Sequence, residues 1–279
     1  MPLDQKQSRH IFAKLERQLS KLPGQAAPEN VHRFRTYSRR VEALLHELTP
    51  KPSGNTKKLL KALAELRKKA GRIRDLDVQT SALGGLKLPQ AAGQKAQLLR
   101  TLAEERGKRQ KKLAKALDEK AVTEVRKRLR RAQRDIEVPE GFDPLARALR
   151  QLRQLEKEPV PLDERLLHQY RITGKRARYL AELAGKDPAA ERLIEQLKRM
   201  QDLIGDWHDW LKLTQRAEEL FGGVRDSSLV AALHNVTQAK FRQSVAALGE
   251  MRGALAGKPA APEIAARRPV RHEEKLPAA

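Results

Sequence analysis

His32-Arg33-Phe34-Arg35-Thr36-Tyr37-Ser38-Arg39-Arg40-Val41-Glu42-Ala43-Leu44-Leu45 returns later in the chain as His168-Gln169-Tyr170-Arg171-Ile172-Thr173-Gly174-Lys175-Arg176-Ala177-Arg178-Tyr179-Leu180-Ala181. At about 3.6 residues per turn, His32, Arg35 and Arg39 share one helix face, as do His168, Arg171, Lys175 and Arg178. Phe34, Tyr37, Val41 and Leu44 fall on another face, matched by Leu167, Tyr170, Ala177 and Leu180. Each segment is thus a helix with an apolar side for a core and a second side crowded with cations. Like charges at this spacing repel, so the arrangement asks for an anion.

The rest of the chain has the same character. Leu and Ala recur at three-and-four spacing between Arg, Lys, Glu and Gln, and no alternating strand pattern stands out. This predicts helices at 4–21, 29–48, 55–82, 92–117, 120–135, 143–157, 162–184, 188–220 and 226–255. Between them lie turn-forming clusters such as Pro23-Gly24, Pro50-Lys51-Pro52-Ser53-Gly54, Gly84-Gly85, Pro159-Val160-Pro161 and Gly222-Gly223. Gly174 is expected to interrupt the second stripe. From Gly257 on, the chain is rich in Ala and Pro without an apolar period, and 257–279 reads as a flexible tail.

The 279 residues carry 58 Lys and Arg against 35 Asp and Glu, a formal charge of +23. This surplus runs along the whole chain and favours polyanionic partners: nucleic acid, polyphosphate or an anionic surface. With 39% hydrophobic residues, the chain can still bury a core. There is no cysteine, which removes disulfides and thiolate metal sites. The N-terminal segment is broken by Lys6, Arg9, Lys14 and Arg17 and lacks the apolar run of a signal peptide. No segment has the run of about 18 apolar residues that a membrane span needs. A soluble cytoplasmic protein is the expectation.

A second element also recurs. Leu66-Arg67-Lys68-Lys69-Ala70-Gly71-Arg72-Ile73-Arg74-Asp75-Leu76-Asp77-Val78 follows the first stripe, and Met200-Gln201-Asp202-Leu203-Ile204-Gly205-Asp206-Trp207-His208-Asp209-Trp210-Leu211 follows the second. Superposing Gly71 on Gly205 places Arg74-Asp75 on His208-Asp209. Two matched elements in one order imply duplication of a helical unit. The expected architecture is all-α: two four-helix-bundle-like repeats (about 1–136 and 142–256) with pseudo-two-fold symmetry around a central basic channel.

These pieces together resemble the CHAD family, the conserved histidine α-helical domain. The residues that carry the likeness are His32-x-x-Arg35-x-x-x-Arg39-Arg40, Gly71-x-x-Arg74-Asp75-x-Asp77-Val78, His168-x-x-Arg171-x-x-x-Lys175-Arg176-x-Arg178-Tyr179 and Leu197-Lys198-x-x-Gln201-Asp202-x-x-Gly205-x-x-His208-Asp209. The resemblance covers about residues 1–255, so 1–256 is read as one CHAD domain. It implies a non-enzymatic domain that binds inorganic polyphosphate in its basic channel, in some members at polyphosphate granules. Carried over residue by residue, the implied polyphosphate-binding set is His32, Arg35, Arg39, Arg40, Arg74, His168, Arg171, Lys175, Arg176, Arg178, Lys198 and His208. Glu42 departs from the pattern, standing where the second copy has Arg178. No Glu-x-Glu-x-Lys strand motif occurs in these residues, so a fused CYTH triphosphatase domain is not expected among them.

Polyphosphate offers a line of negative charge and no bases to read. Arginine suits it because a guanidinium can bind two phosphate oxygens at once and stays ionised; lysine serves as a point charge. His32 and His168 would contribute once protonated, and a nearby polyanion should raise their pKa values; core histidines are the alternative. Glu29-x-x-His32 is half of a di-iron pattern, but Arg165 stands where the second glutamate would be, so no metal and no cofactor is expected. Arg74-Asp75-x-Asp77 and Asp206-x-x-Asp209 are read as carboxylates that orient arginines. Trp207 and Trp210 read as core anchors. No phosphate-binding Gly-x-x-x-x-Gly-Lys-Ser/Thr loop and no nucleophile elbow occurs, so no catalytic residue is assigned. The competing expectation is a nucleoid- or RNA-associated basic protein, although helix-turn-helix spacing and aromatic RNA-binding runs are missing. Nucleic acid is therefore expected only as a non-specific partner, and a membrane not at all.

Overall fold

The structure is a computed structural model that describes residues 3–22, 27–156 and 163–255. The expected tail at 257–279 lies outside the described residues. Among the described residues there is no strand. The described residues form nine α-helices in succession: α1 (Gln5–Lys21), α2 (Pro28–Leu48), α3 (Gly54–Gly85), α4 (Ala92–Ala116), α5 (Glu119–Asp135), α6 (Pro144–Glu156), α7 (Glu164–Ala181), α8 (Pro188–Phe221) and α9 (Ser228–Leu255). Short 3-10 turns occupy Pro89–Ala91 and Glu182–Ala184.

Local chemistry sets the boundaries. Asp118, Asp163 and Asp187 cap α5, α7 and α8 by accepting hydrogen bonds from first-turn backbone amides, and Ser53 does so for α3. Asp4 and Gln7 form a reciprocal capping box at α1. Gly222 ends α8 with φ of 80°, a left-handed backbone that glycine adopts without strain. Two expected breaks are absent. Gly84 and Gly85 are the last residues of α3 instead of a linker, and α7 runs unbroken through Gly174. At Gly174 the lack of a side chain serves packing: a Cβ there would lie 2.8 Å from Met200 Cε of α8.

Pairwise packing runs in one order through both halves: α1 on α2, α2 on α3 and α3 on α4, then α6 on α7, α7 on α8 and α8 on α9. α5 is an added helix that packs on α3 and α1, while α2 against α7 and α3 against α8 join the halves. The two apolar clusters do not divide along the repeat. The larger takes Phe12, Phe34, Leu63 and Leu129 from the first half together with Leu167, Tyr170, Leu197 and Trp207 from the second. The smaller joins Leu76, Leu83, Leu98 and Leu102 to Trp210, Leu213, Leu229 and Leu233. Trp207 and Trp210 are buried, one in each cluster, as their anchor reading expected. Each cluster draws on both halves, so neither half closes a core by itself.

Candidate functional site

The seam between the clusters is where the charges gather. On α3, Ile73 belongs to the larger cluster and Leu76 to the smaller; on α8, Trp207 and Trp210 divide the same way. Arg74-Asp75 and His208-Asp209 lie in these two intervals. The stripes of α2 and α7 bring their cations to the same place. Arg35 of α2 lies within electrostatic range of Arg171 on α7 and Arg67 on α3, and Lys175 of α7 faces Arg171, Arg39 and Arg35.

Gly71 makes room for this convergence. A Cβ at Gly71 would stand 3.1 Å from Arg35 Nη1, so the guanidinium rests against bare α3 backbone. The same Nη1 is 3.9 Å from the Asp75 carboxylate, an ion pair beyond hydrogen-bond reach. Arg35 Nη1 and Arg171 Nε are both buried, and among the described residues neither has a hydrogen-bond acceptor. Buried donors of this kind are costly unless something fills the space before them. Two recesses, of about 400 and 300 Å³, adjoin the cluster and share Arg39 and Arg67 as lining. The larger also exposes Arg171, Lys175 and Arg176, and the smaller exposes Arg35, Lys68 and Arg72.

Crowding of cations in a partly desolvated place has clear titration consequences. Burial, then Arg171, Arg39 and Arg35, brings the Lys175 ammonium down to about 7 against the weaker pull of Asp209. Burial, followed by Arg171 and Lys212, depresses His208 to about 4. His32 is also lowered, by burial and then by Arg74, Arg35 and Arg178. Asp209 is raised to about 6, first by burial and then by Asp75, despite the cations nearby. His32 and His208 therefore lie below the ordinary histidine range, opposite to the rise expected of a stripe histidine beside a polyanion.

The twelve residues singled out by the sequence separate into groups. His32, Arg35, Arg39, Arg74, Arg171, Lys175 and His208 form one interacting cluster. His168 stands at its edge, exposed, with its ring centroid 6.4 Å from that of His208. Both stripe histidines reach solvent, although His32 is partly desolvated, so neither is a core histidine. Arg178 reaches towards His32 but lies 3.6 Å from Glu182 and over the Tyr179 ring. Arg40 turns away from the cluster, donating to Glu182 at 2.6 Å. Arg176 is exposed at the rim of the larger recess. Lys198 is exposed and ten residues from His208, about 15 Å along α8.

Arg67 and Lys212 were absent from the sequence-derived set and belong with the cluster. Arg67 sits one turn before Gly71 and two before Arg74, a register that selects it from Arg67-Lys68-Lys69. Glu42, the departure in the first stripe, holds Arg67 at 2.7 Å. The orienting role read for the carboxylates holds for Asp75 with Arg35 and for Asp77, which accepts from Arg106 at 2.6 Å. Asp206 pairs instead with Lys240, at 2.8 Å. Among the described residues, no group of three or more His, Asp or Glu could hold a metal ion, and no helix is long and apolar enough to cross a membrane.

Fold and site together define an all-α protein in which four helices, two from each half of the chain, enclose a cationic seam. The family model of the CHAD domain matches residues 6–218, and the chain belongs to the CHAD family. Its structure is similar to the crystal structure of the CHAD domain from the plant Ricinus communis, with a TM-score of 0.70 at 17% identity, over 93% of this chain and 96% of that one. It is also similar to PptA from Streptomyces chartreusis, with a TM-score of 0.65 at 16% identity, over 92% of this chain and 100% of that one. At these identities the likeness establishes the fold. No curated protein matches the sequence significantly.

Proposed function

We propose that the protein binds inorganic polyphosphate, without transforming it, in the seam between α2, α3, α7 and α8. The observation that carries this reading is the convergence of Arg35, Arg39, Arg67, Arg171 and Lys175 from three helices, with Arg35 Nη1 and Arg171 Nε lacking acceptors among the described residues. A chain of phosphates supplies acceptors in a row, and arginine takes two phosphate oxygens at once. The two recesses that share Arg39 and Arg67 as lining give such a chain room to lie along these cations. Membership of a family linked to polyphosphate supports the ligand class. Association with cytoplasmic polyphosphate granules follows as the setting in which such a binder would act.

The competing reading, a nucleic-acid binder, draws no support from the site. Base stacking requires accessible aromatic faces, and Trp207 and Trp210 are buried. The test is a titration with polyphosphates of defined length. Wild-type affinity should rise with chain length until the seam is filled, and excess duplex DNA should fail to displace the ligand. Replacing Arg35, Arg39, Arg171 and Lys175 together by Ala should abolish binding of short polyphosphate with helicity intact. Tight binding by that variant would refute the assignment. Phosphate release in the presence of Mg²⁺ or Mn²⁺ would overturn the non-enzymatic part.

A further inference from the structure

A second concentration of charge lies outside the seam. Within α5, Arg126, Lys127, Arg128, Arg130, Arg131 and Arg134 fall in nine residues. Three of the six have acidic partners: Arg126 and Arg130 share Glu16 of α1 at 3.0 and 2.6 Å, and Arg128 pairs with Glu124 at 2.5 Å. Lys127, Arg131 and Arg134 are exposed and have no ion-pair partner among the described residues. Their spacing of four and three places them in one stripe, about 10 Å long, where like charges repel. A recess of about 500 Å³ runs among these side chains.

This stripe cannot be an extension of the seam. α5 turns Val122, Val125, Leu129 and Ala132 into the core, so its cations look outward. Beside Arg128 stands Asn55 of α3, twelve residues or about 18 Å along that helix from Arg67. The chemistry of the surface is that of a phosphate binder without base readout. α5 has no aromatic residue, and its one amide side chain, Gln133, donates to the Arg9 carbonyl of α1.

We infer that the outward face of α5, through Lys127, Arg131 and Arg134, is a second polyphosphate-binding surface that lets one molecule join two chains or two segments of one chain. This rests on the reading of the seam as a polyphosphate site. The α5 surface is open, and its three contacts are freely solvated, so it is weak for a single short chain. It gains where many phosphates are linked, because engagement at the seam raises the local concentration of neighbouring segments.

The experiment uses the full chain with Lys127, Arg131 and Arg134 all changed to Gln, keeping Arg126 and Arg130 so that Glu16 retains its partners. Short polyphosphate, long enough only for the seam, should bind the triple variant within two-fold of wild type. Light scattering from mixtures with long chains should fall several-fold. In the protein already lacking the four seam cations, residual long-chain binding should show a log K against log salt slope shallower by about 2 once the triple change is added, at about 0.7 per lost contact. Undiminished assembly of long chains by the triple variant would overturn the inference and leave the seam reading standing. Loss of duplex DNA binding without loss of long-chain assembly would also overturn it, assigning the face to nucleic acid. If short chains fail to bind even the wild type, the seam reading falls, and the two variants still decide α5 by their long-chain slopes.

Discussion

Lys175 is placed where its charge is hardest to keep. Arg35, Arg39 and Arg171 face it and remain ionised, so lysine is the member of the group that yields its proton. In the folded protein Lys175 titrates near 7, while the unfolded side chain keeps its ordinary value near 10.5. Between these values the unfolded state holds more protons, so this group makes the free protein gain stability as pH rises above 7. Asp209, raised to about 6, acts in the opposite direction below that pH, which leaves the window above 7 to Lys175. A bound polyanion should return the proton. Binding at pH 8 should then take up close to one proton, read as a dependence of calorimetric enthalpy on buffer ionisation, and affinity should fall from pH 6.5 to 9. Lys175→Arg should remove both effects. Gly71 permits a second test at this scale. Gly71→Val crowds the Arg35 guanidinium, so affinity for polyphosphate should drop several-fold at a small cost in Tm.

The helices show how far the sequence could be read. Periodicity reveals which residues share a face, and that is why α2 and α7 carry Arg35, Arg39, Arg171 and Lys175 where the stripes placed them. It does not reveal a neighbour one residue on, about 100° round the helix. Arg40 and Arg176, each next to a stripe residue, accordingly went to Glu182 and to the rim. Arg67 was hidden for the converse reason: three cations in a row look alike until α2 packs on α3 and Gly71 fixes the inward one. Gly174 read as a helix breaker because propensity alone assigns it a cost of about 1 kcal/mol; its contact with Met200 is tertiary and invisible locally. Two predictions belong to α7. Gly174→Val, forced against Met200, should destabilise by about 1–3 kcal/mol in urea unfolding. Asp163→Ala removes the cap that accepts from Leu166 N at 2.8 Å and should cost about 1 kcal/mol, whereas Asp163→Asn should restore most of it.

Across the whole molecule, a surplus of 23 positive charges is tolerated because carboxylates are spent selectively. Glu16 accepts from Arg130 and Arg126, which holds its carboxyl below the ordinary range although burial alone would raise it. Glu105 likewise takes Arg216, then Arg109. The seam and the outer face of α5 are left with cations in excess. Both apolar clusters span the two halves, so a loss of packing in one half should loosen the seam as a unit. Phe34→Ala, deep in the larger cluster, should cost about 3–5 kcal/mol and weaken polyphosphate binding with it. The most direct test of the account is isothermal titration of wild type and of the variant with Arg35, Arg39, Arg171 and Lys175 changed to Ala, using short polyphosphate at two salt concentrations. Saturable, salt-sensitive binding by wild type and none by a folded variant is the predicted result; equal affinities for the two proteins would contradict it.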